Sequence, residues 1–317
     1  MKNFALIGAA GYIAPRHMKA IKETGNKLVA ALDKHDAVGI LDSYFPDANF
    51  FVEFERFDRH VEKLKRMGEK ERIHYVSIAS PNYLHDAHIR FALRVRAHAI
   101  CEKPLVLNPW NVDPLVEMEQ ESGCRVNPIL QLRLHPSIME LKKKVKDNQS
   151  EKKVDIDLTY VVSRGLWYQV SWKGDLAKSG GVVTNIGVHF FDMLQWIFGN
   201  ARINIVHLLK PTKAAGYLEL ESARVRWFLS IEREDLPKSA VNNGKTTYRS
   251  ITIDGIEVEF SEGFADLHTA SYKQILLGQG FGIDDVKPCI QTVYEIRNAK
   301  EAPVVGDYHP FLKASIR

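Results

Sequence analysis

Residues 4–14 read Phe-Ala-Leu-Ile-Gly-Ala-Ala-Gly-Tyr-Ile-Ala, an apolar run followed by a turn that contains two glycines. The run Phe4–Ile7 predicts a buried strand, and the pattern of Ala14–Glu23 predicts a helix directly after the turn. Glycines at such a turn let the backbone approach a pyrophosphate at the helix N-terminus, where unpaired N–H groups favour anions. Ala10 replaces one glycine of the G-x-G-x-x-G spacing, so a plain tight turn is the alternative. The residues predicted to lie against a dinucleotide are Gly8, Gly11, Tyr12 and Ile13.

The alternation of short apolar runs with helical patterns continues to about residue 125. The further predicted strands are Leu28–Leu32, Asn49–Val52, Tyr75–Ala79, Ala97–Cys101 and Val126–Leu130. The helical patterns between them include His60–Met67, Asp86–Val95 and Asn111–Glu121. This order predicts an α/β fold with a doubly wound parallel sheet, a Rossmann domain over residues 1–126.

Asp33 follows the second predicted strand, roughly 20 residues past the glycine turn, where an acid commonly binds the ribose 2′-hydroxyl of a dinucleotide. A carboxylate there repels a 2′-phosphate, so NAD is favoured over NADP. The adjacent Lys34 and His35 weaken that preference, and a solvated loop aspartate is the alternative.

The tripeptide Glu102-Lys103-Pro104 follows the predicted strand Ala97–Cys101. It places a lysine at the carboxyl end of a parallel strand, where open α/β sheets bind ligands. Pro104 prevents a helical backbone at the lysine. A lysine held there can act as an acid or base, whereas a surface lysine in a turn is the alternative. The polar residues after the fourth strand reach the same edge and either line the crevice or form an ordinary turn: Ser80, Asn82 and His85.

The pattern changes after the basic stretch Lys142–Lys144. Runs rich in β-branched and aromatic residues now follow one another without intervening helices: Val154–Ser163, Ala223–Ser230 and Ile251–Phe260, with Asp254-Gly255 as a hairpin tip. Residues 235–245 are predicted as a surface loop. The sequence therefore predicts a second α/β domain with a mostly antiparallel open sheet over residues 127–317, closed by the helices Tyr272–Gly278 and Asp285–Ala299.

The glycine-rich segment Gly180–Asp192 opens a predicted helix that runs to about Phe198. Asn185 and His189 are four residues apart and are predicted to share one face of it. Asp192, three residues further on, is predicted to lie near the same face. An imidazole beside an amide and a carboxylate suits proton transfer near neutral pH, and a structural histidine is the alternative.

The preceding loop, Arg164–Asp175, concentrates cations and aromatic rings. Arginine can bind a carboxylate or phosphate through two hydrogen bonds, and aromatic faces stack on sugars or bases. The loop predicts an anionic, ring-containing substrate. Packing on a neighbouring subunit is an alternative that is compatible with this one.

The composition limits the possible partners. The chain has 317 residues, 45% of them hydrophobic, and a net charge of +4, which is too small to predict a nucleic-acid partner. The three cysteines, Cys101, Cys124 and Cys289, lack metal or redox spacing and indicate a reduced, cytoplasmic protein. The His189 helix lacks a second histidine four residues away, so no metal is expected. No apolar run is long enough to predict insertion into a membrane.

Taken together, these segments resemble the glucose–fructose oxidoreductase and inositol dehydrogenase family of NAD(P)-dependent sugar dehydrogenases. The resemblance covers essentially the whole chain. It implies a Rossmann domain, a second α/β domain with an open sheet, and a dimer or tetramer. Its markers are the Gly8–Ala14 turn, Ser80-Pro81-Asn82 with His85, Glu102-Lys103-Pro104 and the opening of the His189 helix.

Within that family the chain is most similar to the UDP-N-acetylglucosaminuronate 3-dehydrogenases of bacterial O-antigen (lipopolysaccharide) synthesis. The matching segments are Gly8–Met18, Asn127–Arg133, Ser163–Gly165, Trp167–Tyr168, Ser171–Asp175 and Thr184–Phe190. The resemblance implies that NAD oxidises the 3-hydroxyl of a UDP-sugar and that 2-oxoglutarate reoxidises the bound NADH. It also implies a homotetramer, and cofactor contacts from Glu102, Lys103, Gln131 and Trp172.

By the same resemblance, Lys103 and His189 take the positions of the catalytic lysine and histidine. Many members have aspartate where this chain has Asn185, and an amide cannot accept a proton. This favours Lys103 as the base over His189, although the roles of these two residues can be exchanged, and Asn185 orients the sugar. The substrate contacts implied for the loop are Arg164, Tyr168 and Lys173. Two alternatives are a dehydrogenase of another sugar or polyol and a nicotinamide-binding sensor without turnover.

Overall fold

The computed structural model describes residues 1–147, 152–258 and 266–312, which form two compact units. The first unit contains Met1–Leu134 together with Ala265–Lys287, and the second contains His135–Phe264 together with Pro288–Arg317. Residues 127–134 and 265–287 were predicted to lie in the second domain. In the structure the chain leaves the first unit after Leu134 and later returns to it.

The first unit is built on a six-stranded sheet in the order β3-β2-β1-β4-β5-β6. Its strands are β1 (Asn3–Ile7), β2 (Lys27–Leu32), β3 (Asn49–Phe51), β4 (Tyr75–Ile78), β5 (His98–Cys101) and β6 (Val126–Pro128). Every neighbouring pair is parallel. The strand order reverses between β1 and β4, which is where open α/β sheets bind ligands. The predicted doubly wound sheet is confirmed.

Five α-helices lie in the connections between consecutive strands of this sheet, and each carries buried residues. They are α1 (Ala14–Glu23), α2 (Ile40–Tyr44), α3 (Phe54–Met67), α4 (His85–Arg94) and α5 (Val112–Ser122). In α1 the buried positions include Ala14, His17, Met18 and Ile21, which follow helical spacing. One of these four is a histidine, so a polar side chain faces the core.

The second unit carries a mixed six-stranded sheet in the order β12-β11-β7-β10-β9-β8. Its strands are β7 (Val154–Val162), β8 (Ala201–Leu209), β9 (Lys213–Leu220), β10 (Ala223–Ser230), β11 (Thr247–Ile253) and β12 (Ile256–Glu257). The β7–β10 pair is parallel and the other pairs are antiparallel. Its helices up to β12 are α6 (Pro136–Asp147), α7 (Trp167–Val170), α8 (Leu176–Ser179), α9 (Val188–Phe198) and α10 (Lys238–Asn242).

Several local predictions differ from the structure. The strands β8 and β9 were not predicted, and the segment 235–245 contains the short helix α10 instead of being loop throughout. The hairpin at Asp254-Gly255 is present between β11 and β12. Residues 259 and 260 of that predicted strand lie outside the described residues.

The last two helices are α11 (Leu267–Leu276) and α12 (Ile283–Asn298). Helix α11 belongs to the first unit, where Tyr272 stacks on Phe4 with 5.9 Å between ring centroids and Ile275 joins the same core. Helix α12 runs across the boundary between the two units. Within the described part of the chain, no helix combines the length and the apolar character needed to cross a membrane.

Candidate active site

The turn between β1 and α1 brings the chain close to the end of β4. Gly8 has a φ of +92°, and a Cβ atom there would lie 2.6 Å from the carbonyl carbon of Ala79. Glycine is required because a side chain would be strained at this φ and would collide with the backbone. The Gly11 N–H donates to the Gly8 carbonyl at 3.0 Å. Helix α1 therefore begins beside the point where the strand order reverses.

Asp33 lies directly after β2, and its carboxylate accepts a hydrogen bond from the backbone of the glycine turn. Its Oδ2 accepts a hydrogen bond from the Ala10 N–H at 3.0 Å, and its Oδ1 accepts one from the His35 N–H at 2.9 Å. Each oxygen keeps a further lone pair, so the partly exposed carboxylate can still accept from ribose hydroxyls. Tyr12 is largely exposed and Ile13 partly exposed beside the turn.

His85, the first residue of α4, joins two turns at the same edge of the sheet. Its Nε2 lies 2.8 Å from the Ser80 carbonyl oxygen, and its Nδ1 lies 2.7 Å from the Pro104 carbonyl oxygen. The ring is buried, and that burial lowers the pKa of His85 while the two carbonyls oppose the shift. The Ser80 hydroxyl is engaged by Nδ1 of His88 at 2.8 Å, and Asn82 is buried as well. Contact of these side chains with a cofactor stays a prediction.

Lys103 lies at the predicted place, just after β5. Its side chain is partly exposed, whereas Glu102 and Pro104 on either side are buried. The Glu102 N–H donates to the Ile78 carbonyl at 3.0 Å, which fixes this residue to the end of β4. The Lys103–Pro104 peptide bond is cis. The lysine is thus the member of the tripeptide that reaches the surface at the carboxyl edge of the sheet.

The carboxylate of Glu102 is the centre of a buried polar network. Its Oε1 accepts hydrogen bonds from Nε2 of His268 at 2.8 Å and from Nε2 of His17 at 3.1 Å. Beyond His17, Nδ1 lies 2.7 Å from the Tyr272 hydroxyl, which lies 2.6 Å from the Ser77 hydroxyl. Burial raises the pKa of Glu102, but the two imidazole donors outweigh it and hold this pKa well below its usual range. Glu102 is therefore an ionised carboxylate at neutral pH.

This network was not predicted from the sequence. His17 repeats the apolar spacing of α1 and could have been found as a polar residue on a buried face. His268 and Tyr272 lie in α11, and nothing local in the sequence places that helix against β5. One atom from each of His17, Glu102 and His268 lies within 4.8 Å of the other two, so the expected absence of a metal stays a prediction.

Gln131, which follows β6, carries a buried side-chain oxygen without a hydrogen-bond partner among the described residues. An unsatisfied buried acceptor is costly, so Oε1 suits the amide donor of a bound molecule. The cradle at Gly8, which a Cβ atom would fill, suits close approach of a phosphate. Both features of the first unit fit a dinucleotide that bears an amide group.

In the second unit, a π-helical turn over Val183–Gly187 precedes α9. Asn185 lies in this wide turn, and His189 lies in the first turn of α9, where it is partly exposed. The prediction that the helix ends near Phe198 is correct, but its opening is wider than an α-helix. Such turns are rare and frequently occur at functional sites.

Asn185 is oriented by a tyrosine from the preceding loop. Its Nδ2 donates a hydrogen bond to the Tyr168 hydroxyl at 2.5 Å, and both side chains are buried. Burial raises the pKa of Tyr168, so the phenol remains neutral. Tyr168, predicted to contact the substrate, is thus hydrogen-bonded to Asn185, which was predicted to be catalytic.

Lys173 lies over two aromatic rings of the same loop. Its Nζ is 4.6 Å from the ring centroid of Trp172 and 5.5 Å from that of Trp167. Burial, and then the positive charge of Arg164, lower the pKa of Lys173. A bound anion would relieve that repulsion and favour the protonated amine. The ring of Trp172, predicted to contact the cofactor, contacts this ammonium group in the structure.

Each unit therefore gathers its own set of predicted residues. The first brings the glycine turn, Asp33, Ser80 and Lys103 to the carboxyl edge of one sheet. The second brings Tyr168 to Asn185, and Lys173 near Arg164. The roles of these residues stay predictions.

A parallel sheet of this strand order, with a glycine turn at its switch point and an acid after the second strand, defines a dinucleotide-binding protein of the Rossmann class. The chain belongs to the Gfo/Idh/MocA oxidoreductase family. Residues 2–129 match its NAD-binding Rossmann fold, and residues 152–234 match its C-terminal alpha/beta domain. The predicted family, fold class and NAD-binding domain are confirmed.

Among solved structures, the chain is similar to the WlbA (WbpB) dehydrogenase of Thermus thermophilus. The identity is 52%, the match covers 98% of this chain and 100% of that one, and the TM-score is 0.95. That structure is a complex with NAD and alpha-ketoglutarate, and a second structure of the same dehydrogenase, with a TM-score of 0.94, contains NAD and UDP-GlcNAcA. The WlbA dehydrogenase of Bordetella pertussis, at 18% identity over 96% of this chain and 98% of that one, shares the fold with a TM-score of 0.75.

Curated relatives match over shorter segments. The glucose-6-phosphate 3-dehydrogenase of Bacillus subtilis is 24% identical over 207 residues, which is 62% of this chain and 54% of that protein. The matches thus span about half the length of the curated relatives.

Proposed function

We propose that the protein uses NAD to oxidise the 3-hydroxyl of UDP-N-acetylglucosaminuronic acid to a ketone, and that 2-oxoglutarate then reoxidises the NADH in place. The observation that carries this proposal is the 52% identity, over nearly the whole chain, with a dehydrogenase crystallised with NAD and each of these two molecules. The proposed setting is O-antigen sugar synthesis in the cytoplasm, by a homotetramer.

The loop around Lys173 supports an anionic substrate. Lys173 and Arg164 are like charges close enough that one lowers the pKa of the other. The uronate carboxylate or the diphosphate of the substrate would lie between them, with Tyr168 completing the contact. A neutral polyol would leave this repulsion in place, which argues against an inositol as the substrate.

Lys103 takes the proton from the 3-hydroxyl as the sugar carbon is oxidised. It is suited to this because its amine is held at the carboxyl edge of the sheet by buried neighbours. His189 donates a hydrogen bond to the same oxygen, and Asn185, fixed by Tyr168, orients the sugar. NAD, when bound, supplies the acceptor for the hydride that leaves the carbon. The bond changes balance, because the O–H electron pair becomes the second bond of the C=O group, the C–H pair leaves with the hydride for NAD, and the proton stays on Lys103.

The second half-reaction returns that proton. Lys103 donates it to the ketone oxygen of 2-oxoglutarate while the hydride carried by NADH would go to the ketone carbon, which gives 2-hydroxyglutarate and NAD. Both substrates carry carboxylates, so Lys173 and Arg164 bind the carboxylate of the UDP-sugar in the first half-reaction and a carboxylate of 2-oxoglutarate in the second. The residues proposed to hold the dinucleotide are Gly8, Gly11, Tyr12, Ile13, Asp33, Ser80, Asn82, His85, Glu102, Lys103, Gln131 and Trp172.

The test is incubation of the protein with UDP-N-acetylglucosaminuronate, substoichiometric NAD and 2-oxoglutarate, followed by mass spectrometry. The proposal expects the sugar nucleotide to lose two hydrogens in step with the formation of 2-hydroxyglutarate. Oxidation without any need for 2-oxoglutarate would refute the recycling. If the protein oxidises only a neutral sugar or polyol, the proposed substrate is wrong. If it binds NAD but turns over none of these compounds, a nicotinamide-binding sensor is favoured. Native mass spectrometry tests the tetramer.

A further inference from the structure

Two buried side-chain clusters hold the backbone on either side of Lys103. On one side Glu102 is bound by His17 and His268, and on the other the Pro104 carbonyl is bound by His85. Lys103 itself is the partly exposed residue between two buried neighbours. The contacts of these two neighbours therefore fix the backbone on either side of the lysine.

The cluster on the Glu102 side draws on three elements of the first unit. His17 comes from α1, His268 from α11 and Glu102 from the end of β5. Both histidines donate to the same carboxylate oxygen, at 3.1 and 2.8 Å, and all three side chains are buried. Two charge-assisted hydrogen bonds from different helices leave the carboxylate little freedom to rotate or shift.

The Pro104 side is held by one residue that bridges two turns. His85 lies 2.7 Å from the Pro104 carbonyl oxygen and 2.8 Å from that of Ser80. The ring therefore lies between the turn after β5 and the turn after β4. A neutral imidazole has one N–H, so it donates to one of the two carbonyl oxygens and packs against the other.

We propose that His17, His268 and His85 are positioning residues that fix the amine of Lys103, acting through Glu102 and Pro104. The inference rests on the proposed function, in which Lys103 moves the proton of the substrate. A misplacement of about 1 Å at a reacting group can cost roughly 100-fold in rate. The two clusters therefore set the rate of proton transfer and leave substrate affinity largely unchanged.

The Glu102 side is tested with Glu102→Gln and His268→Gln, against the control Tyr272→Phe. The control removes a hydroxyl from the far end of the same network but leaves both hydrogen bonds to Glu102 in place. We expect kcat to fall about 10- to 100-fold in both test variants, with KM for the UDP-sugar changed less than about threefold. The Kd for NAD should change less than about threefold in His268→Gln, because His268 is not among the residues proposed to hold the dinucleotide. Tyr272→Phe should lower Tm by a few degrees and change kcat less than about threefold.

The Pro104 side is tested with His85→Asn, against the control His88→Asn. His88 lies on the same helix, is buried, and contacts the Ser80 hydroxyl instead of the Pro104 carbonyl. We expect a loss in kcat of about 10-fold or more for His85→Asn and less than about threefold for His88→Asn. A rise in the solvent deuterium isotope effect on single-turnover NADH formation should accompany each loss, because proton transfer becomes limiting.

A second readout does not depend on turnover. The rate at which acetic anhydride labels Lys103, followed by peptide mass spectrometry, should change more than about threefold in Glu102→Gln and His85→Asn but not in the controls. If wild-type protein fails to oxidise the UDP-sugar while labelling responds as expected, the proposed function is wrong and the positioning stands. Equal losses of kcat in test and control variants of matched Tm, or unchanged labelling, would overturn the positioning.

Discussion

The side-chain amide of Asn185 donates a hydrogen bond to the hydroxyl oxygen of Tyr168, and both groups are buried. The partners come from different elements, since Tyr168 lies in α7 and Asn185 in the π-helical turn. The phenol therefore fixes the amide that is proposed to orient the sugar.

Tyr168→Phe should lower kcat/KM for the UDP-sugar about tenfold, because a buried amide donor loses its partner at a cost of ~1–2 kcal/mol. Steady-state kinetics measure this change. Tyr217→Phe is the matched control, since its hydroxyl contacts Glu219 on the sheet, and it should change kcat/KM less than about twofold. If both substitutions changed kcat/KM equally, the proposed role of Tyr168 in the substrate site would be wrong.

Asp33→Asn should weaken NAD binding about tenfold and bring the Kd values for NAD and NADP closer together. The amide keeps an acceptor for one N–H of the turn but loses the charge that repels a 2′-phosphate and the strong acceptor for ribose hydroxyls. Fluorescence titration measures both Kd values. Asp36→Asn, in the exposed part of the same loop, should leave both unchanged.

Lys103→Ala should abolish turnover and leave the Kd for NAD within about threefold, because general acid–base groups contribute about 100- to 10,000-fold to rates. Rapid mixing with NAD and the UDP-sugar, followed by NADH absorbance, measures the loss. The exposed Lys34→Ala is the control. A variant at Lys103 that kept the wild-type rate would falsify the proposed role of the lysine.

Lys173 should make substrate affinity dependent on alkaline pH. Burial and Arg164 hold its pKa below the ordinary value of 10.5 in the free protein, and a bound anion favours the protonated form. Affinity for the UDP-uronate should thus be highest below the lowered pKa and should fall as pH rises through it. Calorimetric titration from neutral to alkaline pH checks this, and Lys173→Arg, which stays charged, should remove the dependence.

His309 should make the fold less stable in acid. Burial, and then Arg226, lower the pKa of this imidazole to about 3, whereas the unfolded chain takes up the proton near 6.5. The contribution of neutral His309 to the free energy of unfolding is therefore complete above pH 6.5. It is lost as pH falls toward 3, at ~1.4 kcal/mol per pH unit. Urea unfolding at pH 7 and pH 5 should show a smaller difference for His309→Gln than for wild type. The exposed His35→Gln should match wild type.

The first unit could be predicted well because its signals are local. Each strand is a short apolar run that ends in a polar or glycine turn, and Asp33 and Lys103 directly follow such runs. Strand ends in a parallel sheet meet at one edge, so the placement of these residues follows from the alternation itself.

The remaining features of the fold and of the candidate site depend on contacts between distant parts of the chain, so they could not be predicted. Glu102 accepts a hydrogen bond from His268, which lies 166 residues away in the sequence. The periodicity of apolar residues within a helix or strand cannot predict a contact over that separation. The π-helical turn at Asn185 includes Gly187, where a Cβ atom would approach Leu229 and Phe191 within 3 Å. That constraint comes from tertiary packing, and the local pattern predicted an ordinary helix.

The return of α11 to the first unit has a consequence for how the protein is made. Tyr272 and Ile275 complete the core that begins with Phe4, yet they leave the ribosome after the whole second sheet. The nascent dinucleotide-binding unit thus has an open core, and its Glu102 lacks the donor His268, while the second unit is synthesised as an insertion within it. A fragment that ends at Leu134 would contain every strand of the first sheet and still lack the piece that closes it.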